Sequence, residues 1–482
     1  MRASTPRSRR FALSTAPVLV AVLATSVPPQ ITSSIASSTE GEIEGKAKVR
    51  EGGVRAAVVS ASPQRSVTVA AVGATGFTPQ TRVGYDVGDQ WEPAIAADRF
   101  GHVYMLFPQY GGVPGCADCY NPTMMLQISN DHGSTWGSPT IIYPAGRTTG
   151  EWDAEVVVDP VDGKTVYTSW LQNGKSDIFV GKSTDFGATW SVVEADHTNA
   201  GTDKPILAVR GPNVYVSYNH TQTAYVAVSH DGGATFTQYK INKNAKLGWS
   251  LGGGGVVTPD GNVFFAWAGY EQNGGAVGNV NLYVSKSSDA GATWITTTVE
   301  ISKAPPDCAA YACGWAFLGA QVVMTADTSG NLYALWNSNS ADGSPNRVYF
   351  SRSTDNGNTW TTKADVSTAP AGTHHNFPAI AATGAGNVRI AWMDARAAVP
   401  LGGQDRWNVY YRSSADGGQS WSTEVDLTTY VSGTSYIFPD GFRYPFGDYF
   451  EMDIDEQGTA HAVFGEGHNY DSPGSIWYVK GS

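Results

Sequence analysis

Side chains that can carry acid–base or nucleophilic chemistry lie beside the strand-like segments of this chain rather than within one compact motif. A carboxyl group exchanges protons with a reacting oxygen, a phenol or imidazole serves as nucleophile or base, and a guanidinium binds an anion through parallel hydrogen bonds. For any single one of these side chains, the simpler interpretation is a polar group that satisfies a loop backbone. The candidates for catalytic roles are Asp153, Asp448, Tyr449, Glu451 and Glu466. The candidates for binding a substrate are Glu92, His374, His375, Arg396, Arg406 and Arg443.

Four of the 15 tryptophans fall just before or at the start of a strand that follows a connection between repeated units. Packing between neighbouring sheets is one interpretation of these residues. The other is a stacking surface for sugar rings, whose C–H faces suit an aromatic plane. The four residues are Trp91, Trp152, Trp249 and Trp315.

The overall composition excludes two classes of protein. Asp and Glu number 43 against 31 Lys and Arg, a formal net charge of −12, so the chain lacks the basic surface that nucleic-acid phosphates require. Hydrophobic residues make up 41% of the chain, which is enough to bury a large core and excludes general disorder. The 55 glycines predict many turns.

The N-terminal residues 1–36 have the pattern of an export signal, because four arginines among the first ten residues precede a short apolar stretch. Ser8-Arg9-Arg10 resembles a twin-arginine signal, and both export routes stay open. The apolar stretch is shorter than a comfortable membrane span, so no stable membrane insertion is expected. Residues 37–65 are predicted to be a disordered linker, and residues 66–482 the folded domain of a secreted monomer.

The four cysteines form two close pairs, Cys116 with Cys119 and Cys308 with Cys313. In an exported chain such pairs predict two small loop disulfides, although pairing between the two loops is left open. No histidine stands at the spacing that a zinc site with these cysteines needs.

Internal repeats decide the architecture. An octapeptide of the form Ser-x-Asp-x-Gly-x-Thr/Ser-Trp/Phe occurs six times, at intervals that fit one supersecondary unit each. Its aspartate accepts hydrogen bonds from the backbone, its glycine takes the positive-φ position, and its hydroxyl residues close the turn. The six aspartates are Asp131, Asp185, Asp231, Asp289, Asp355 and Asp416.

Seven units of two strands joined by a tight turn accompany these six octapeptides. The seventh unit, at residues 452–464, is followed only by a strand at 475–480, so its sheet lacks the outer strand. Because a ring of sheets must hide its edges, residues 66–86 are expected to supply that strand. The sequence therefore predicts one all-β propeller of seven four-stranded blades, with six blades as the alternative.

The octapeptide resembles the Asp-box, or bacterial neuraminidase repeat, of sialidase-like β-propellers, and the resemblance extends from about residue 80 to the end of the chain. In that family the box is a structural turn. Function lies on the opposite face, around the central channel, where the connections between blades meet the loops between second and third strands. The six-bladed alternative also comes from this family, whose sialidases have six blades.

The resemblance implies a nucleophilic tyrosine paired with a glutamate, and an aspartic acid that protonates the leaving group. Tyr449 with Glu451 or Glu466 matches the first pair, and Asp153 or Asp448 matches the acid.

The resemblance also implies an arginine cluster that binds a substrate carboxylate through bidentate hydrogen bonds. Arg396, Arg406 and Arg443 are the residues that match it. The family's Phe/Tyr-Arg-Ile-Pro motif is absent before the first box, and 442–445 resembles it only near the C-terminus.

Three functions follow as expectations. The first is a sialidase-like glycoside hydrolase that removes a terminal sugar, by preference an acidic one. The second is a lyase of uronate-containing polysaccharides, with His220, His374, His375 or Tyr449 as base and Arg396 as the neutralising cation. The third is a propeller that binds a glycan or a protein without catalysis.

The expected partner is a carbohydrate, and no cofactor is predicted. Residues 453–456 offer oxygen ligands of the kind that Ca²⁺ takes. A solvated turn is the simpler interpretation of that segment.

Overall fold

The structure is a computed structural model, and it describes residues 73–142, 150–199, 201–220, 223–242, 250–271, 278–307, 318–396, 406–431, 437–438, 441–442, 444–445, 447, 449–467 and 474–482. These residues form strands and turns, with no α-helix among them. No helix in this part of the chain is long and apolar enough to cross a membrane. The predicted export signal and linker lie outside the described residues.

The first three blades are four-stranded antiparallel sheets made from consecutive strands. Blade 1 contains β3 (Ala94–Ala97), β4 (Val103–Tyr110), β5 (Thr123–Ser129) and β6 (Thr140–Ile141), and β2 (Asp89–Gln90) also pairs with β4. Blade 2 contains β7 (Trp152–Val158), β8 (Val166–Gln172), β9 (Asp177–Ser183) and β10 (Ser191–His197). Blade 3 contains β11 (Thr202–Arg210), β12 (Asn213–His220), β13 (Thr223–Ser229) and β14 (Thr237–Lys240).

The next three blades repeat this order. Blade 4 contains β15 (Ser250–Val257), β16 (Val263–Tyr270), β17 (Val280–Ser287) and β18 (Ile295–Ser302). Blade 5 contains β19 (Val322–Ala326), β20 (Leu332–Ser338), β21 (Arg347–Ser353) and β22 (Ala364–Asp365). Blade 6 contains β23 (His375–Thr383), β24 (Asn387–Asp394), β25 (Asn408–Ser414) and β26 (Val425–Asp426).

The seventh blade joins the two ends of the described chain. It contains β30 (Glu451–Ile454), β31 (Ala460–Gly467), β32 (Gly474–Gly481) and the N-terminal β1 (Thr81–Val83). β29 (Tyr444–Pro445) also pairs with β31, and β27 (Ile437–Phe438) forms a short hairpin with β28 (Gly441–Phe442).

The first strand of each blade contacts the first strands of both neighbouring blades, and the contact between β3 and β30 closes the ring. The prediction of seven blades is therefore confirmed, and the six-bladed alternative is wrong.

The closure of the ring by the N-terminal segment is confirmed as well. β1 pairs antiparallel with β32 in the register Thr81↔Tyr478, Arg82↔Trp477 and Val83↔Ile476. Phe77 forms a further antiparallel bridge with Gly481. The outer edge of β32 is thus covered by another part of the same chain, which removes an exposed edge strand.

Each octapeptide closes a turn between the third and fourth strands of its blade. In the first copy, Ser129 Oγ donates to Asp131 Oδ1 at 2.8 Å, and the Gly133 N–H donates to Ser129 Oγ at 2.8 Å. The Thr135 N–H and hydroxyl donate to the two carboxylate oxygens of Asp131, each at 2.7 Å. These bonds from Thr135 lower the pKa of Asp131 to about 2. The serine, aspartate and threonine of the box use their side chains for hydrogen bonds within the turn, as the structural interpretation predicts.

The core lies between adjacent blades rather than at the centre of the ring. Four tryptophans occupy the second strands of blades 2, 4, 5 and 6 and are at most 2% exposed, namely Trp170, Trp267, Trp336 and Trp392. In the loop between β4 and β5, Cys116 and Cys119 form a disulfide. Cys308 and Cys313 lie outside the described residues.

Candidate functional site

The seven innermost strands surround a central channel, which forms a cavity of about 670 Å³. Glu92 lies just before the innermost strand of blade 1, and Asp153, Lys204 and Phe377 lie at β-bulges near the start of the innermost strands of blades 2, 3 and 6. Their φ angles are 46°, 56°, 51° and 51°. Such left-handed backbone is costly for residues other than glycine, so its repetition at one position marks a geometry that the fold imposes. The first three of these residues place charged side chains at one end of the channel.

Lys204 is the centre of a group of residues that we call the mouth cluster, made up of Glu92, Asp153, Lys204 and Tyr449. The Lys204 N–H donates to Asp153 Oδ2 at 3.2 Å, and Lys204 Nζ lies 4.0 Å from Glu92 Oε1. The same ammonium lies 3.7 Å from the centre of the Tyr449 ring, a cation–π contact. Tyr449 Oη donates to the Ala154 carbonyl at 3.3 Å. The cluster therefore joins blades 1, 2, 3 and 7.

Below the mouth cluster, Glu155 of β7 and Glu451 of β30 are hydrogen-bonded to each other. Burial raises the pKa of Glu155 well above its ordinary value, and the charge of Glu451 raises it further. Burial also raises the pKa of Glu451 to about 7, although the hydrogen bond from Glu155 and the Ile95 N–H oppose the shift. Lys204 lowers the pKa of both carboxyls. The pair can therefore hold one shared proton near neutral pH, which leaves one carboxylate to accept a proton from a reacting group.

Asp453 is the third carboxyl on this side of the channel. Its Oδ2 accepts the Ala97 N–H at 2.8 Å, just as Glu451 Oε2 accepts the Ile95 N–H at 3.1 Å. Two carboxyls of β30 thus satisfy two N–H groups on the inner edge of β3. Burial raises the pKa of Asp453 to about 6. These two carboxyls therefore stabilise the contact between blades 7 and 1, and they can also take part in acid–base chemistry.

Three of the five catalytic candidates come together at this site, namely Tyr449, Glu451 and Asp153. Glu466 is placed elsewhere: it is fully buried on β31, behind the innermost strand, and accepts the indole N–H of Trp477. Burial raises the pKa of Glu466 well above its ordinary value. Asp448 lies outside the described residues.

The two adjacent histidines are both fully buried. His374 Nδ1 accepts the Asn346 N–H at 2.9 Å, and burial lowers the pKa of His374 to about 3. His375 Nδ1 lies 3.0 Å from the Asn346 carbonyl, and its Nε2 lies 2.8 Å from Ser367 Oγ. These contacts connect blade 6 to blade 5 and give both rings a structural task.

The guanidinium of Arg396 is already bound by protein carboxylates. Its Nε and Nη2 donate to the two oxygens of Asp394 at 2.9 and 2.6 Å, and Nη1 donates to Glu424. Its Cζ atom lies 3.4 Å from the centre of the Tyr410 ring. Arg406 is buried, and Arg443 lies outside the described residues.

The two described tryptophans of the predicted stacking surface are core residues. Trp91 is 2% exposed and stacks on Tyr110, with ring centres 4.5 Å apart. Trp152 is 5% exposed and packs in the same cluster of side chains. The interpretation as packing between blades therefore applies to these two, whereas Trp249 and Trp315 lie outside the described residues.

Sequence reasoning missed Glu155, gave Lys204 no catalytic or binding role, and considered Asp453 only among possible Ca²⁺ ligands. A signal for the carboxyls does exist in the pattern. Side chains of a strand alternate between its two faces, so acidic residues at every second position of an otherwise apolar inner strand lie on the same face of that strand. Glu155 follows Asp153 by two residues, and Glu451 and Asp453 follow Tyr449 by two and four.

Comparison with known protein families identifies the repeats. The model of the BNR repeat-like domain matches residues 74–313, which include four of the six octapeptides.

The chain therefore contains a BNR-repeat domain, and its described residues form a seven-bladed β-propeller.

Solved structures similar to this BNR-repeat propeller share little sequence with it. A protein of unknown function from Dyadobacter fermentans is 13% identical, with a TM-score of 0.46 over 84% of this chain and 98% of that chain. The sialidase NanB of Streptococcus pneumoniae is 12% identical, with a TM-score of 0.45 over 84% and 70%. The sialidase of Trypanosoma rangeli is 13% identical, with a TM-score of 0.43, and the match spans 83% of this chain and 57% of that one. These similarities concern the fold alone. Among curated proteins, none matches this chain.

Proposed function

We propose that this BNR-repeat propeller is an exported glycoside hydrolase that acts on a terminal sugar at the channel mouth. The observation that carries the proposal is the convergence of Tyr449, Glu451 and Asp153 around Lys204, with Glu451 hydrogen-bonded to a second carboxyl, Glu155. A nucleophile, a proton acceptor and a proton donor are the groups that a retaining glycosidase requires.

The roles follow from the residue types. Tyr449 Oη attacks the anomeric carbon, and its proton passes to the Glu451 carboxylate while Glu155 keeps the shared proton. Asp153 protonates the leaving oxygen as the glycosidic bond breaks. Water then releases the sugar from Tyr449, giving its proton to Asp153, and Glu451 returns the phenolic proton. Each group ends the cycle in its starting form.

The charges at the channel mouth influence which kind of sugar can bind there. Lys204 is accompanied by Glu92, Asp153 and the Glu155–Glu451 pair, so the described part of the mouth is acidic. A neutral or amino sugar is repelled less by such a surface than a carboxylated one. We therefore favour a neutral or amino sugar over the acidic sugar that the family resemblance implies. An acidic sugar would need a cation beyond the mouth cluster, and Arg443, which lies outside the described residues, is the candidate.

The lyase alternative receives less support. Two of its candidate bases, His374 and His375, are fully buried and bonded to backbone or hydroxyl groups. Its neutralising cation, Arg396, is held by Asp394 and Glu424. Neither of these histidines is exposed to a uronate ring, and the Arg396 guanidinium is already paired with protein carboxylates.

A panel of aryl glycosides tests the proposal. It comprises sialosides, neutral hexosides and amino-hexosides, with uronate polymers followed by ultraviolet absorption. We expect release of a free sugar from a neutral or amino glycoside. Tyr449→Phe and Glu451→Gln should each lower kcat by about 100-fold or more, the range for lost acid–base or nucleophilic groups.

Glu466→Gln is the matched control, because the amide oxygen can still accept the Trp477 N–H and the residue lies behind the innermost strand. It should keep kcat within a few fold of the parent. Unchanged turnover in Tyr449→Phe and Glu451→Gln would place the reaction elsewhere. An unsaturated product would indicate a lyase, and binding without turnover would indicate a non-catalytic propeller.

A further inference from the structure

A second cluster of ionisable groups lies on the opposite face of the ring, at the seam between blades 1 and 7. His132 belongs to the first Asp-box, and Asp455 and Glu456 form the turn between β30 and β31. His132 Nδ1 lies 3.2 Å from Asp455 Oδ2 and 3.5 Å from Glu456 Oε1. One ligand-type atom from each residue lies within 4.8 Å of the other two. Neither Asp455 nor Glu456 takes part in the reaction proposed above.

A buried imidazole is aimed into this cluster. His461 is fully buried, and its Nε2 lies 3.3 Å from Asp455 Oδ2, an ion-pair contact that lacks the geometry of a hydrogen bond. The other ring nitrogen, Nδ1, lies 2.7 Å from Tyr478 Oη, which fixes the ring orientation. A buried polar atom without a hydrogen bond is costly, so its position beside a carboxylate oxygen is informative.

His132 Nδ1 and Asp455 Oδ2 form a hydrogen bond with each other, and the other hydrogen bonds of these two residues use their remaining polar atoms. Asp455 Oδ1 accepts the N–H groups of Gln457 and Thr459 at 3.0 and 2.8 Å, and Oδ2 faces the two histidines. The Gln457 side-chain amide lies 3.0 Å from His132 Nε2 and orients that ring from its far side. Outer contacts of this kind commonly hold histidine and carboxylate ligands in place around a metal ion.

We propose that His132 Nδ1, Asp455 Oδ2 and Glu456 Oε1 form a binding site for a divalent metal ion of the zinc type. One imidazole nitrogen and two carboxylate oxygens suit Zn²⁺ or Co²⁺ better than Ca²⁺, which takes oxygen ligands only. Ligand bonds of about 2.0–2.2 Å in tetrahedral geometry separate the ligand atoms by about 3.3 Å. The two distances from His132 Nδ1 match that separation.

Such an ion would connect the third-to-fourth-strand turn of blade 1 to the first turn of blade 7. Blade 7 is the one that is completed by β1, so the ion would add a further link between blades 7 and 1, beside the bonds that Glu451 and Asp453 make to β3. Binding to the folded state alone stabilises it in proportion to the logarithm of the metal concentration.

The test is a titration of the chelator-treated full chain with Zn²⁺ by calorimetry and with Co²⁺ by visible absorption. We expect one ion per chain and a melting temperature that rises with Zn²⁺ concentration. His132→Asn is the decisive variant, because the fifth Asp-box has Asn356 at the same position with a φ of 59° against 55° for His132. It should weaken Zn²⁺ binding about tenfold or more. In chelator it should melt like the parent chain.

His197→Gln is the matched control. His197 forms another three-residue group with Asp177 and Glu194, but its side chain is 67% exposed. This variant should bind Zn²⁺ like the parent chain. The proposal is overturned if the parent chain binds no Zn²⁺, if His132→Asn binds like the parent, or if His197→Gln removes the binding. The first of these outcomes would show that Asp455 only links the two histidines.

Discussion

Replacing Glu451 by glutamine should remove a pH dependence of stability that the channel carboxyls create. Burial raises the pKa of Glu451 from 4.5 to about 7. At about 1.4 kcal/mol per pKa unit, the shift corresponds to about 3 kcal/mol. Because Glu451 faces the channel rather than a closed core, this value is an upper limit.

The sign follows from proton binding. The unfolded chain loses the Glu451 proton near pH 4.5, whereas the folded chain keeps it up to about pH 7. The favourable contribution of this group is therefore complete below pH 4.5 and is lost as the pH rises through 7. Glu451→Gln is neutral throughout, so its stability should fall less over this interval, by up to about 3 kcal/mol.

Thermal unfolding followed by circular dichroism at constant scan rate measures this difference between the parent chain and the variant. The melting temperature of the parent should fall between pH 4.5 and 7 by more than that of Glu451→Gln. The exposed Glu194→Gln is the control and should parallel the parent. Parallel curves for the parent chain and Glu451→Gln would refute the raised pKa and with it the shared proton.

Three further predictions concern the boxes, the closure and Lys204. Hydrogen bonds from threonine lower the pKa of box aspartates such as Asp131 and Asp355 to about 2. The stabilisation that these aspartates contribute is therefore present above pH 3.8 and is lost as the pH falls through 2. The melting temperature measured by circular dichroism should drop over that interval, and a flat profile would contradict the prediction. A chain that begins after Val83 should have a lower melting temperature and should aggregate in size-exclusion chromatography, because the edge of β32 becomes exposed. A chain that begins at Gly73 keeps β1 and should do neither. Equal behaviour of the two chains would mean that β1 does not stabilise the ring. Lys204→Met should raise the pKa of both channel glutamates and move the pH profile of kcat/KM upward, and an unmoved profile would show that Lys204 is not coupled to them.

The fold could be read from the sequence because its signals are local and repeated. Each Asp-box is a turn whose hydrogen bonds stay within a few residues, so Ser129 to Thr135 is recognisable without any knowledge of the neighbouring blades. The closure by β1 followed from counting, since seven units with six boxes leave one outer strand missing. Both signals depend on the order of residues along the chain and not on tertiary packing.

The site could be read only in part, because a position at the end of a strand does not reveal which way its side chain turns. Trp91 and His374 lie where loops meet strands, yet neighbouring blades cover both. Glu466 and Glu451 are both glutamates of the last blade and cannot be told apart by residue type. Glu466 lies on the second strand of that blade, whereas Glu451 lies on its innermost strand. Glu155 could not be predicted, because its partner Glu451 is almost 300 residues away in the sequence and contacts it only in the closed ring.

The central claim is that Tyr449 reacts with a sugar at the channel mouth. A slow-reacting fluorinated form of the glycoside that the chain hydrolyses should trap the covalent intermediate, which mass spectrometry of the digested protein can locate. We predict a mass increase of one sugar on the peptide that contains Tyr449, absent from Tyr449→Phe and present in Glu466→Gln. A label on another residue, or no hydrolysis of any glycoside in the panel, would contradict the account.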